Sequence, residues 1–148
     1  MKKAFEELTQ AIKNGYCLHG SKTIIDVLEP RLAACGSGAF ENCQKAVYAS
    51  QDEVDVAVVM ALRDRLPSCT SSRSSYSRHG AGPLVITGTN ATFTPGYVHV
   101  LPRDTFVVLG NEFISYEAVK PVAIVRVDPS ILRLFQNIEL HIPIPPPY

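Results

Sequence analysis

GYVHVLPRDTFVVLGNEFISYEAVKPVAIVRV, residues 96 to 127, decides the fold class. It breaks into GYVHVLP, TFVVLG, NEFISYEAV and PVAIVRV, each rich in β-branched and aromatic residues. Gly, Pro, Asn or Asp bounds every piece, the punctuation expected between strands. PLVITG, from Pro83, extends the series upstream. Before it the period is different. Phe5, Leu8, Ala11 and Ile12 recur at helical spacing, and Asn14-Gly15 supplies a stop. YCLHG then reads as a strand, KTIIDVLEPR as a helical turn running into a loop broken by Pro30, AACGSGAFENCQ as a loop, and KAVYAS as a second strand. Ser50 and Glu53 fit a capping box, which predicts a helix from Gln51 to about Arg63, apolar enough in its middle to be buried on most sides. Helices early and strands crowded late predict an α+β fold with a mostly antiparallel sheet.

Length and composition narrow the function classes. The 148 residues fit one domain, with a Pro-rich tail over 143–148. Fourteen basic residues balance fourteen acidic ones, so no global field draws the chain to nucleic acid or an anionic membrane. MKKAFEELTQAIKNG has lysines but no apolar core after them, and no run approaches the ~20 apolar residues of a membrane span. A cytoplasmic protein with no membrane partner is expected. Cys17, Cys35, Cys43 and Cys69 form no C-x-x-C pair and read as reduced thiols, with no metal site expected. PSCTSSRSSYSRHGAG, 67 to 82, is serine-rich and reads as a mobile loop. Its Arg73, Tyr76, Arg78 and His79 suit a phosphate or an exposed base, with a solvated loop as the alternative. HGAG within it lacks any G-x-S-x-G partner, so a serine hydrolase is not indicated.

Three residues gain meaning together. A histidine at the end of a strand, His19 in LHGS, is compatible with a structural role when taken alone. Tyr48 in VYAS is compatible with a core aromatic, and Glu112 in NEFISYE with a solvated strand start. In this order, at three strands, the segments resemble the histidine, tyrosine and glutamate motifs of the ADP-ribosyltransferases related to diphtheria toxin and the poly(ADP-ribose) polymerases. The third match is the most specific: the polymerases commonly read N-E-Y-I-V-Y-D where this chain reads N-E-F-I-S-Y-E. The resemblance covers roughly residues 15 to 127.

The resemblance implies a split, mostly antiparallel β-sheet core and an enzyme, a pentosyl-transferring glycosyltransferase. NAD+ would be its co-substrate, no metal would be needed, and one ADP-ribose would pass to a macromolecular acceptor, protein or nucleic acid. It implies that His19 bonds a ribose hydroxyl, that Gly20 and Ser21 hold the nicotinamide carboxamide, and that Tyr48 packs against the ring. Glu112 would stabilise the positive charge that develops as the glycosidic bond breaks. Arg31 is a candidate for the NAD+ pyrophosphate, since guanidinium matches phosphate geometry, with a plain surface arginine as the alternative. A toxin or effector of this kind would have a cognate inhibitor or antitoxin as a partner. Two departures stand out. VDVAVVMAL, where the family carries a second stacking tyrosine, has no aromatic, leaving Phe40 or Phe113 as substitutes, and the chain lacks the polymerases' helical regulatory part. Three alternatives remain: an NAD+ glycohydrolase, a non-catalytic NAD+ or ADP-ribose-binding module, and a small-molecule transferase like the rifamycin ADP-ribosyltransferases. The last group shares L-H-G-[ST]-K but uses aspartate as the third group.

Overall fold

The computed structural model describes residues 1–32, 45–50, 53–64, 75–78, 82–88, 92–110 and 112–142, with the side chains of 75–77 and 112 outside that set. The first helix, α1 (Lys2–Lys13), buries Leu8 and Ala11. It ends as Asn14-Gly15 demands: Gly15 takes φ +88°, its N–H donates to the Ile12 carbonyl, and Tyr16 N–H donates to that of Ala11. That pair of bonds is the Schellman stop, which satisfies carbonyls the helix cannot.

Two antiparallel sheets form the frame. In the first, β1 (Cys17–Ser21), β6 (Gly96–Leu101) and β9 (Ala123–Val127) lie in the order β1-β6-β9. In the second, β2 (Arg31–Leu32), β3 (Lys45–Ala49), β7 (Phe106–Leu109) and β8 (Glu112–Ser115) lie in the order β2-β3-β8-β7. Leu109 and Glu112 close the β7–β8 hairpin across a two-residue turn whose Gly110 has φ +61°. The sheets meet where the Ser50 N–H donates to the Leu18 carbonyl at 2.7 Å. A third sheet, β10-β5-β4, joins β4 (Ser75–Ser77), β5 (Leu84–Thr87) and β10 (Ile138–His141); β10 runs parallel to β5, the exception in a mostly antiparallel α+β fold.

The second helix, α2 (Val54–Leu62), lies on the first sheet and buries Ala57, Val58, Val59, Ala61 and Leu62. With Leu8, Leu18, Val98, Val125, Val127 and Ile131 these residues make the larger core. A smaller cluster gathers Cys17, Leu28, Val47, Ala49, Leu101, Phe113 and Val119. Two glycines let α2 settle. A Cβ on Gly20 would run into the Ala57 carbonyl oxygen and lie 2.6 Å from the Ala61 nitrogen; one on Gly96 would lie 2.7 Å from the Ala61 carbonyl carbon.

Several expectations are corrected. The capping box does not form: Ser50 is committed to the bridge with Leu18, and Glu53 is itself the N-cap in extended conformation, without a side-chain cap bond. Glu53 and Asp55 are instead held by Arg78, and Asp55 accepts the Val56 N–H at 2.8 Å. The expected start at Gln51 lies outside the described residues. KTIIDVLEPR makes no helical turn, because Leu28 pairs backbone to backbone with Val119. Within the expected loop 67–82, residues 75–77 form β4, while 67–74 and 79–81 lie outside the described residues. A 3-10 helix (Pro129–Leu134), capped by Asp128 accepting from the Ser130 N–H, went unforeseen. The tail 143–148 lies outside the described residues.

Candidate active site

A cleft of about 830 Å³ opens between the two frame sheets, inside the ~300–1,000 Å³ range of small-molecule sites. Five residues expected at the site line it: His19, Gly20 and Ser21 from β1, Arg31 from β2 and Tyr48 from β3. The sequence separates them by up to 29 positions, and the β1–β3 junction brings them together.

His19 is anchored first. Its Nδ1 lies 2.6 Å from the Tyr48 carbonyl oxygen, which only accepts, so Nδ1 carries the proton and donates. In the neutral ring Nε2 is then an acceptor. Strand alternation fixes Gly20. Leu18 turns its carbonyl away from β6 to meet Ser50, so Gly20, two residues on, turns its N–H and C=O to the same side. One backbone donor and one acceptor therefore face the gap between the sheets. The reason this position takes only glycine is α2 packing behind it, rather than ligand approach in front. Ser21 is nearly buried, and its Oγ accepts the Thr23 N–H at 3.2 Å. Arg31 is exposed on the short edge strand β2, paired with Ala46.

Glu112 stands differently. Its backbone opens β8, paired with Leu109 of β7 and one residue before Phe113, which pairs with Ala49 at the end of β3. Its side chain lies outside the described residues. Of the proposed substitutes for a second aromatic, Phe113 is 5 % exposed in the smaller core with the Arg103 guanidinium 4.5 Å over its ring. It is not among the cleft-lining side chains. Phe40 lies outside the described residues.

Five residues at or beside the cleft were missed in the sequence. His99 sits directly across β1–β6 from His19, fully buried, with ring centroids 6.1 Å apart. Its Nε2 accepts the Ile25 N–H at 3.0 Å, and its Nδ1 donates to the His19 carbonyl at 3.3 Å. Burial holds its pKa below the usual histidine value, the His19 carbonyl opposing that weakly. A histidine between valines in GYVHVLP was the signal in the sequence that could have found it. Lys22, also on the cleft, donates to the carbonyls of Leu62 and Thr94 at 2.6 and 2.9 Å and so closes the C-terminus of α2. Burial lowers its pKa, and the Asp64 carboxylate 3.5 Å away pulls it back up. From α2 itself, Val56, Ala57 and Met60 face the cleft.

Among the described residues no cluster of three or more His, Cys, Asp or Glu is placed to hold a metal ion, and no helix is long and apolar enough to cross a membrane. Cys17 is buried with its Sγ 3.7 Å from the Leu101 carbonyl; Cys35, Cys43 and Cys69 lie outside the described residues. No protein-family model, no curated protein and no solved structure matches the chain.

Proposed function

We propose that the cleft binds NAD+ and that the protein is a mono-ADP-ribosyltransferase of the histidine-tyrosine-glutamate class, acting on a macromolecular acceptor. The observation that carries this reading is the arrangement at β1: an anchored imidazole, a glycine presenting one donor and one acceptor, and an aromatic from the neighbouring sheet, all on one cleft. A primary carboxamide has one acceptor and one donating group, the complement of the Gly20 backbone. A ribose hydroxyl donates to His19 Nε2, the acceptor that the Tyr48 carbonyl leaves on the ring.

The reaction breaks the bond between the ribose C1′ and the nicotinamide nitrogen, and the bonding pair leaves with nicotinamide. The sugar passes through an oxocarbenium-like state, and the acceptor nucleophile bonds C1′ and loses its proton to solvent. Glu112 is the carboxylate assigned to that developing charge. A fixed anion there acts on the transition state more than on the ground state, an effect commonly worth ~2.7–4 kcal/mol. His19, Gly20, Ser21 and Tyr48 act by orientation, and Arg31, also on the cleft, is assigned to the pyrophosphate.

The test uses NAD+ labelled on the adenylate phosphate, following free nicotinamide and label together, with protein, nucleic-acid and small-molecule fractions as acceptors. Wild type is expected to transfer label to the protein or nucleic-acid fraction, and Glu112→Gln to fall about a hundred- to a thousandfold. Label moving only to small molecules would make it a relative of the rifamycin enzymes in function. Nicotinamide release with only free ADP-ribose would make it a glycohydrolase. Binding without turnover would leave a nucleotide-binding module, and neither binding nor turnover by folded protein would end the reading.

A further inference from the structure

We propose that the Met60 thioether forms the second wall of the nicotinamide pocket, opposite in role to the Tyr48 ring; the inference rests on the NAD+ reading above. A flat aromatic ring is held well only when both faces are covered. Tyr48 is the aromatic among the described cleft-lining side chains, apart from the imidazole of His19. The helix that follows β3 offers no aromatic in Val54–Leu62, and Phe113 is withdrawn into the core beneath Arg103. What α2 does turn to the cleft is Val56, Ala57 and Met60, positions three and four apart on one face. The other face, with Val58, Val59 and Leu62, belongs to the core.

Met60 is the largest of these three, and the only one with a polarizable sulfur, which interacts favourably with aromatic rings. Its position is fixed rather than incidental. A Cβ built on Gly20 would come within 3.1 Å of the Met60 carbonyl carbon, so the Met60 backbone is packed against the strand segment that carries Gly20. Lys22 closes the end of the same helix two residues later through the Leu62 carbonyl. Met60 lines the same cleft as Gly20, Ser21 and Tyr48, so a ring whose carboxamide is held at Gly20 and Ser21 has the thioether as a neighbouring wall in this proposal. An unbranched thioether fills an irregular gap that a shorter or branched side chain would leave open. The pocket then has an aromatic wall on β3 and a deformable one on α2, which favours small planar leaving groups without demanding a tightly matched ring shape.

The chain has two methionines, Met1 and Met60, so protein labelled with 13C at the methionine methyls gives two signals, assigned with Met60→Leu. Met1 packs against the larger core, its Sδ 3.3 Å from the Asp128 nitrogen, and serves as an internal control. Nicotinamide or NAD+ should move the Met60 methyl upfield through the ring current while Met1 stays put. Met60→Ala should weaken nicotinamide inhibition and raise KM for NAD+ about two- to tenfold with little change in kcat, and Met60→Leu should lose less. If wild type cleaves NAD+ but the Met60 methyl does not move, the wall is elsewhere and the transferase reading stands. A shift of Met60 without turnover keeps the wall and removes the catalysis. No shift and no turnover would remove both.

Discussion

Nε2 of His99 accepts the Ile25 N–H, and its Nδ1 donates to the His19 carbonyl, so the ring is fixed in one neutral tautomer between the strand and the cleft rim. Adding a proton would turn the Nε2 acceptor into a donor facing another donor, inside a fully buried site. The folded-state pKa is accordingly lowered. The sign for stability follows. As pH falls through the unfolded value of about 6.5, the unfolded chain takes up a proton that the folded chain resists, so stability is lost from there down to the folded pKa. Melting temperature measured from about pH 7.5 to about pH 5.5 should fall more steeply for wild type than for His99→Gln, whose amide oxygen still accepts the Ile25 N–H. Parallel slopes would show that His99 is not the group responsible. His19 invites a different substitution. His19→Asn keeps a donor near the Nδ1 position for the Tyr48 carbonyl but loses the Nε2 acceptor. NAD+ turnover is expected to drop by about a hundredfold through misorientation, with melting temperature close to wild type. Equal losses of activity and stability would assign His19 a structural role alone.

α2 shows how an element sets the site from behind. Its nine residues lie so close to β1 and β6 that Gly20 and Gly96 have no room for a Cβ. Alanine at either position must push the helix away, with an overpacking cost of ~1–3 kcal/mol. Because the same helix carries Val56, Ala57 and Met60, urea unfolding and NAD+ affinity should both suffer in Gly20→Ala and Gly96→Ala. A variant with lower stability but unchanged affinity would show that α2 does not shape the cleft. The sequence revealed the elements whose own residues specify them. α1 has its amphipathic stripe and its Asn14-Gly15 stop, and β5 to β9 have apolar runs between turn residues. It hid those made by their partners: the two residues of β2, the three of β4, and β10, which strand only because β3 and β5 offer open edges. The capping box failed for the same reason, since a local motif at Ser50 lost to the long-range bond with Leu18. Of the cleft lining, His19, Gly20, Ser21 and Tyr48 had been singled out by the resemblance and Arg31 by the chemistry of its guanidinium. His99 and Met60 were not singled out, because their placement depends on which neighbours they face across strand and helix.

At the scale of the whole molecule, the cleft lies where the two sheets meet. Among the described residues, backbone bonds join the two halves at Leu18–Ser50 and between the loops at Leu28–Val119. The larger apolar cluster gathers on the first sheet, and the smaller one spans the junction, with Cys17 and Leu101 of the first sheet packed with Val47, Ala49 and Phe113 of the second. A ligand that touches His19 and Gly20 on one side and Tyr48 and Arg31 on the other acts as a further tie. Binding only the folded state stabilises it by about 2.7 kcal/mol at a hundred times Kd, which for a chain of this size raises the melting temperature by roughly 5 to 10 °C. A rise of that size with NAD+, smaller with nicotinamide alone, is expected from thermal melts. Where the protection appears is the sharper question. The Ser50 amide closes the junction by donating to Leu18, so its exchange with solvent reports local opening between the sheets. NAD+ should slow exchange at Ser50 more than at amides inside the β6–β9 ladder, whose opening does not involve the cleft. Uniform slowing across both regions would mean that the ligand acts on global unfolding, and no slowing at Ser50 would mean that it does not bridge the two sheets.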